Sequence, residues 1–68
     1  MSVQVTVNGQ PREVPAGTTV EHLVATVTEL TAGVAAAVNG EVVPRRSWAA
    51  ALLRDGDRVE VVTAVQGG

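Results

Sequence analysis

Three tight-turn pairs, Asn8-Gly9, Asn39-Gly40 and Asp55-Gly56, cut this 68-residue chain into short valine-rich runs. An Asn-Gly pair tolerates the positive φ angles of a tight hairpin turn, so the runs on either side of Asn8-Gly9 and of Asn39-Gly40 are expected to pair as antiparallel strands, while Asp55-Gly56-Asp57 marks a third tight turn ahead of the last run. A chain this short makes one domain and buries only about 60% of the surface it exposes when unfolded. Its apolar residues are chiefly Val and Ala, with Trp48 the single aromatic. The expected core is therefore small and β-branched, with no room for a deep enclosed active site.

Ser2 to Val7 alternates, with Val3, Val5 and Val7 on one face and Gln4 and Thr6 on the other, the period of a half-buried strand. After Asn8-Gly9, Pro11 to Val14 is read as a short returning strand. Pro11 lacks an amide donor, which places it at that strand's start or on a sheet edge. Thr18 and Glu21 have the spacing of a capping box. A helix is expected to follow, with Val20, Leu23, Val24 and Val27 forming its apolar stripe, Leu30 extending it and Gly33 stopping it. The apolar run Val34 to Val38 fits a strand buried on both faces or lying beside the sheet centre. Glu41 to Val43 pairs with it until Pro44 ends the ladder. Ser47 is a candidate cap for a short helical turn around Trp48. The last strand is expected from Arg58 to Val65, with Val59 and Val61 facing the core and Arg58 and Glu60 facing out.

The order is ββ, helix, ββ, helical turn, strand. One helix between two hairpins packs its stripe across one face of a mixed sheet. The expected fold class is α+β, a ubiquitin-like β-grasp with a mixed five-stranded sheet, one main helix and a short helical turn. In that fold the last strand lies parallel to the first at the sheet centre. The domain is assigned to residues 1–65, with 66–68 as a flexible C-terminal tail.

Composition excludes several function classes. Formal net charge is −2, which argues against nucleic acid. All five basic residues are Arg, so there is no lysine ε-amine for Schiff-base or P-loop chemistry. Cysteine is absent, which removes disulfides, thiol nucleophiles and Cys-based metal sites. No signal-peptide pattern and no apolar run long enough to span a membrane is evident, so no membrane partner and a cytoplasmic location are expected. His22 has no second His or Cys to join it and reads as an ordinary helix residue. Glu21 reads as a cap, Asp55 and Asp57 as turn residues, and Trp48 as the core's anchor. Arg45 and Arg46 mark a solvated corner. Candidate catalytic and metal residues are none.

The chain ends Gln66-Gly67-Gly68. Residues without a Cβ suit a tail that threads a narrow channel to present its own carboxylate. Val62, Ala64 and Val65 have the opposite parity to the core-facing valines or approach the tail, and form a candidate apolar docking patch.

The series Val38-Asn39-Gly40-Glu41-Val42-Val43-Pro44-Arg45, Trp48-Ala49, Asp55-Gly56-Asp57-Arg58-Val59-Glu60-Val61-Val62 and the final Gly67-Gly68 resembles the ThiS and MoaD group of ubiquitin-like proteins, nearest to the sulfur carriers of thiamine biosynthesis. The resemblance covers nearly the whole chain. It departs at Ser47, where relatives often carry an acidic residue, and at Leu52-Leu53. It implies that the Gly68 carboxylate is adenylated with ATP by an E1-like adenylyltransferase of the ThiF type. A persulfide donor then supplies sulfur, and the resulting C-terminal thiocarboxylate passes it to a thiazole synthase of the ThiG type. No cofactor is bound in this scheme, and the chain is a carrier rather than an enzyme. Molybdopterin or cysteine synthesis is the alternative pathway, and a non-catalytic ubiquitin-like binding module the alternative class.

Overall fold

The computed structural model describes residues 1–29 and 32–63. Strands β1 (Ser2–Val7) and β2 (Gln10–Pro15) form the first hairpin. Helix α1 (Val20–Val27) follows, then the hairpin β3 (Val34–Val38) and β4 (Glu41–Val43), a 3-10 helix (Arg45–Ala50) and β5 (Arg58–Thr63). The sheet order is β2-β1-β5-β3-β4. The last strand runs parallel to β1 and antiparallel to β3, so it occupies the middle of the sheet. This is the expected ubiquitin-like β-grasp.

Strand alternation decides what is buried. Val5, Val7, Val14, Val59 and Val61 point to one face and are all buried there, together with Ala36. Helix α1 covers that face with Val20, Leu23 and Val24, and Trp48 and Leu53 close one side of the core. Fully burying a valine or leucine contributes about 1.5–3 kcal/mol, so Val20, Leu23 and Val59, the most completely buried, are the strongest links between helix and sheet.

Three local expectations need correction. The helix cap is Thr19, not Thr18. Its hydroxyl accepts the His22 N–H at 3.2 Å, while the Thr18 hydroxyl donates to the Pro15 carbonyl. Glu21 therefore sits one residue too early in the helix for a capping box and lies in the first turn, where a negative charge suits the helix dipole. The deciding contacts are distant in sequence: Thr19 bridges to Leu52, and the Leu53 N–H donates to the Thr18 carbonyl.

The helix also stops at Val27, well before Gly33. Thr26, Val27 and Thr28 are consecutive β-branched residues with poor helix propensity, and Thr28 is already extended at φ −146° and ψ 150°. Leu30 lies outside the described residues. Ser47 does not cap the short helix, which begins earlier at Arg45 after Pro44 and has no side-chain cap bond. Strand β3 lies beside the sheet centre, one of the two placements expected for it, with Ala35 exposed on the side away from the helix.

Candidate functional site

Of the residues singled out from sequence, Ala64, Val65, Gln66, Gly67 and Gly68 lie outside the described residues. What is described is the base from which they continue. Strand β5 is central, its Val59 and Val61 are sealed under the helix, and Val62 on the opposite parity is 62% exposed. That exposure agrees with the sequence reading of Val62 as a solvent-face residue.

The two Asn-Gly turns hold β5 in place, a role that their turn chemistry did not disclose. Both asparagines have positive φ, 51° at Asn8 and 53° at Asn39. At the start of β5, the Asn39 main-chain N–H donates to the Arg58 carbonyl at 2.7 Å, while the Arg58 N–H donates to the Asn39 side-chain oxygen at 2.9 Å. Further along, the Val61 N–H donates to Asn8 Oδ1 at 2.9 Å and Asn8 Nδ2 donates to the Val61 carbonyl at 3.2 Å. The available signal was the choice of Asn over Asp, because only a carboxamide both donates and accepts.

The third turn is tied down by carboxylates. Asp55 Oδ1 accepts the Gln4 N–H, and Asp57 accepts the Arg54 N–H on one oxygen and Asn39 Nδ2 on the other. Both aspartates therefore act as turn residues, as expected.

The face of the sheet away from the helix is divided by chemistry. Its β2–β1 half carries Glu13, Gln4 and Thr6, whereas its β5–β3–β4 half carries Val62, Ala35, Ala37 and Val42, with Glu60 among them. Val62 lies opposite Ala35, and Ala37 opposite both Glu60 and Val42. A shallow groove of about 180 Å³ runs over these residues. Val42, 74% exposed, was missed from sequence. The strand's parity was the signal that would have found it.

The remaining candidates have structural roles. Trp48 is buried and donates its indole N–H to the Val43 carbonyl at 2.8 Å. Arg45 stacks on the Trp48 ring, with its guanidinium carbon 4.9 Å from the centroid, so it is not simply a solvated corner. Arg46 is exposed, as is His22, which borders an open groove of about 430 Å³ between β2 and α1. Among the described residues no group of three His, Cys, Asp or Glu side chains is placed to hold a metal ion, and no helix is long and apolar enough to cross a membrane.

Among the described residues nothing covers the apolar face beside the central last strand, and the sequence runs on from that strand to Gly67-Gly68. The ThiS family model matches residues 5–68. This chain belongs to the ThiS family. It is 35% identical over 66 residues to the sulfur carrier protein ThiS of Escherichia coli strain K12, covering 97% of this chain and all of that protein. A crystal structure of a thiamine biosynthesis protein (ThiS) from Geobacter metallireducens superposes with a TM-score of 0.78 at 33% identity, covering 97% of this chain and all of that one. A solution structure of a thiamine biosynthesis protein from the same organism gives the same score and identity, with 88% of that chain covered. The chain is also 35% identical to part of a thiazole synthase from Paramagnetospirillum magneticum, spanning 97% of this chain but only 20% of that protein's length.

Proposed function

We propose that Gly68 is the sulfur-bearing residue, presented on a tail of residues 66–68 that continues from a folded unit of residues 1–65. Membership of the ThiS family makes the chain a sulfur carrier of thiamine biosynthesis and not a catalyst. The observation that carries the assignment of the site is the family match, which runs through Gly68 and covers the E. coli carrier from end to end.

The chemistry follows from an α-carboxylate, which is anionic at neutral pH and unreactive toward sulfur until its oxygen becomes part of a leaving group. A carboxylate oxygen of Gly68 attacks the α-phosphate of ATP on an E1-like adenylyltransferase, and pyrophosphate leaves. A persulfide sulfur then attacks the acyl carbon and AMP departs. A second thiol of the sulfur-donating partner then attacks the donor's sulfur in the acyl disulfide, so that the sulfur–sulfur bond breaks, the donor is left as a disulfide with that thiol and the C-terminal thiocarboxylate is released for a thiazole synthase to consume. The carrier contributes position rather than acid, base or metal, since a narrow glycine end on a rigid sheet brings one carboxylate to one phosphorus atom.

Thiazole synthase as the acceptor is supported by the Paramagnetospirillum protein, in which a stretch similar to this chain forms part of a thiazole synthase. Of the docking patch named from sequence, Val62, Ala64 and Val65, the described member Val62 has Ala35, Ala37 and Val42 on the same face. A small apolar area rimmed by Glu60 and the polar β1–β2 half fits the core-and-rim pattern of protein interfaces.

The test is intact and peptide mass spectrometry after incubation with ATP, the activating enzyme and a persulfide source. The expected mass increase is that of one sulfur replacing one oxygen, confined to the C-terminal peptide and absent when Gly68 is deleted. Modification elsewhere in the chain, or none, refutes the assignment of Gly68.

A further inference from the structure

We propose that Asn8 is a positioning residue for the C-terminal tail: its side-chain amide serves as the missing rung that holds the outgoing half of β5. The inference rests on Gly68 being the loaded residue. Its basis is the geometry of the β1–β5 ladder. Thr6 and Asn8 donate their main-chain N–H groups to the carbonyls of Asp57 and Val59 at 3.0 and 2.9 Å, the two-residue step of a parallel pair. The next step along β1 needs a carbonyl to accept the Val61 N–H and then an N–H from residue 10 to satisfy the Val61 carbonyl.

No main chain is there to provide them. The chain reverses at Asn8-Gly9, and Gln10 already belongs to β2, on the far side of β1. The Asn8 carboxamide supplies both groups, accepting from the Val61 N–H and donating to the Val61 carbonyl. A primary amide is the one side-chain group that reproduces a peptide's donor and acceptor together. The positive φ of Asn8, a conformation that Asn adopts more readily than most residues, aims it along the strand.

The location gives the clamp its function. Beyond Val59 the ladder to β1 has no further paired residues, so both main-chain polar groups of Val61 are held by Asn8, while Ala36 of β3 merely lies opposite Val61 on the other side. Val61 is two residues from the end of β5 and seven from Gly68. Asn39 makes the comparable substitution at Arg58, the opposite end of the same strand. Loosening Asn8 widens the directions in which the tail departs and lowers the effective concentration of the Gly68 carboxylate at ATP once the carrier has docked. Loosening Asn39 does not.

The experiment compares Asn8→Gly with Asn39→Gly in the full chain. Glycine accepts positive φ without strain, so both turns persist while each side-chain amide is removed. For Asn8→Gly the expected results are faster hydrogen exchange at the Val61 amide and a kcat for ATP-dependent loading lowered about three- to tenfold with KM little changed, since positioning acts after docking. Asn39→Gly is expected to load like the wild type. Equal losses in both variants, or wild-type loading by Asn8→Gly, overturn the proposal. Failure of the wild-type chain to load at Gly68 removes instead the reading on which it rests.

Discussion

At the scale of single residues, Trp48 joins three separate forces. It fills the end of a core otherwise made of valine, alanine and leucine, its indole N–H satisfies the Val43 carbonyl, and its ring carries the Arg45 guanidinium. At 0.05–0.15 kcal/mol per residue, a domain of this size is stable by roughly 3–10 kcal/mol. Truncating a buried Trp to Ala costs about 3–5 kcal/mol, so Trp48→Ala is expected to leave much of the population unfolded. Trp48→Phe retains an aromatic ring but not the N–H, and is expected to cost about 1–2 kcal/mol. Urea unfolding followed by far-UV circular dichroism distinguishes them, and a wild-type midpoint for Trp48→Phe would remove the hydrogen bond from the account. The anchoring role of Trp48 was legible because one large aromatic in a valine core has few places to go. The roles of Asn8 and Asn39 were not, because a turn signal is local while their side chains bind a strand that arrives about twenty to fifty residues later in the sequence.

Elements were legible wherever local chemistry alone decided them. Valine alternation located β1 and the core face of β5, and the Asn-Gly pairs located both hairpins. The helix boundaries were not, since Thr18 and Thr19 are both competent caps and the choice fell to contacts with Leu52 and Leu53. Proline placement on β2 has a further consequence for this element. Ala16 donates to the Met1 carbonyl, which sets the phase in which even residues of β2 face β1 and odd residues face outward. Pro11 and Pro15 both fall on the outward phase, so the open edge lacks two of its N–H donors and keeps only that of Glu13. The opposite edge, β4, has three residues and ends at Pro44. Replacing both β2 prolines by threonine restores the donors and is expected to raise concentration-dependent self-association in sedimentation velocity. Unchanged sedimentation relative to the wild type across the same concentrations would show that the prolines do not guard this edge.

At the scale of the whole molecule, the described residues form a sheet with one face sealed by a helix and the other partly apolar and open. That asymmetry makes stability and docking separable, because Val62 and Val59, three residues apart on one strand, lie on opposite faces, one open to solvent and one fully buried. Val62→Asp removes no core contact, so its effect on stability is expected to stay within about 0.5 kcal/mol. At a docked interface the same carboxylate is desolvated without a partner and sits beside Glu60. Loss of a central apolar contact typically costs more than about 1–2 kcal/mol of binding, which is about tenfold in affinity. KM for the carrier in ATP-dependent loading is therefore expected to rise about tenfold with kcat little changed, the reverse of the pattern expected for Asn8→Gly. Leu52→Asp is the control, because Leu52 is equally exposed but lies beside the entry to α1, away from the Val62 face. A Leu52→Asp variant impaired as severely as Val62→Asp would show that any new surface charge suffices. Wild-type KM in Val62→Asp would place docking elsewhere on the fold.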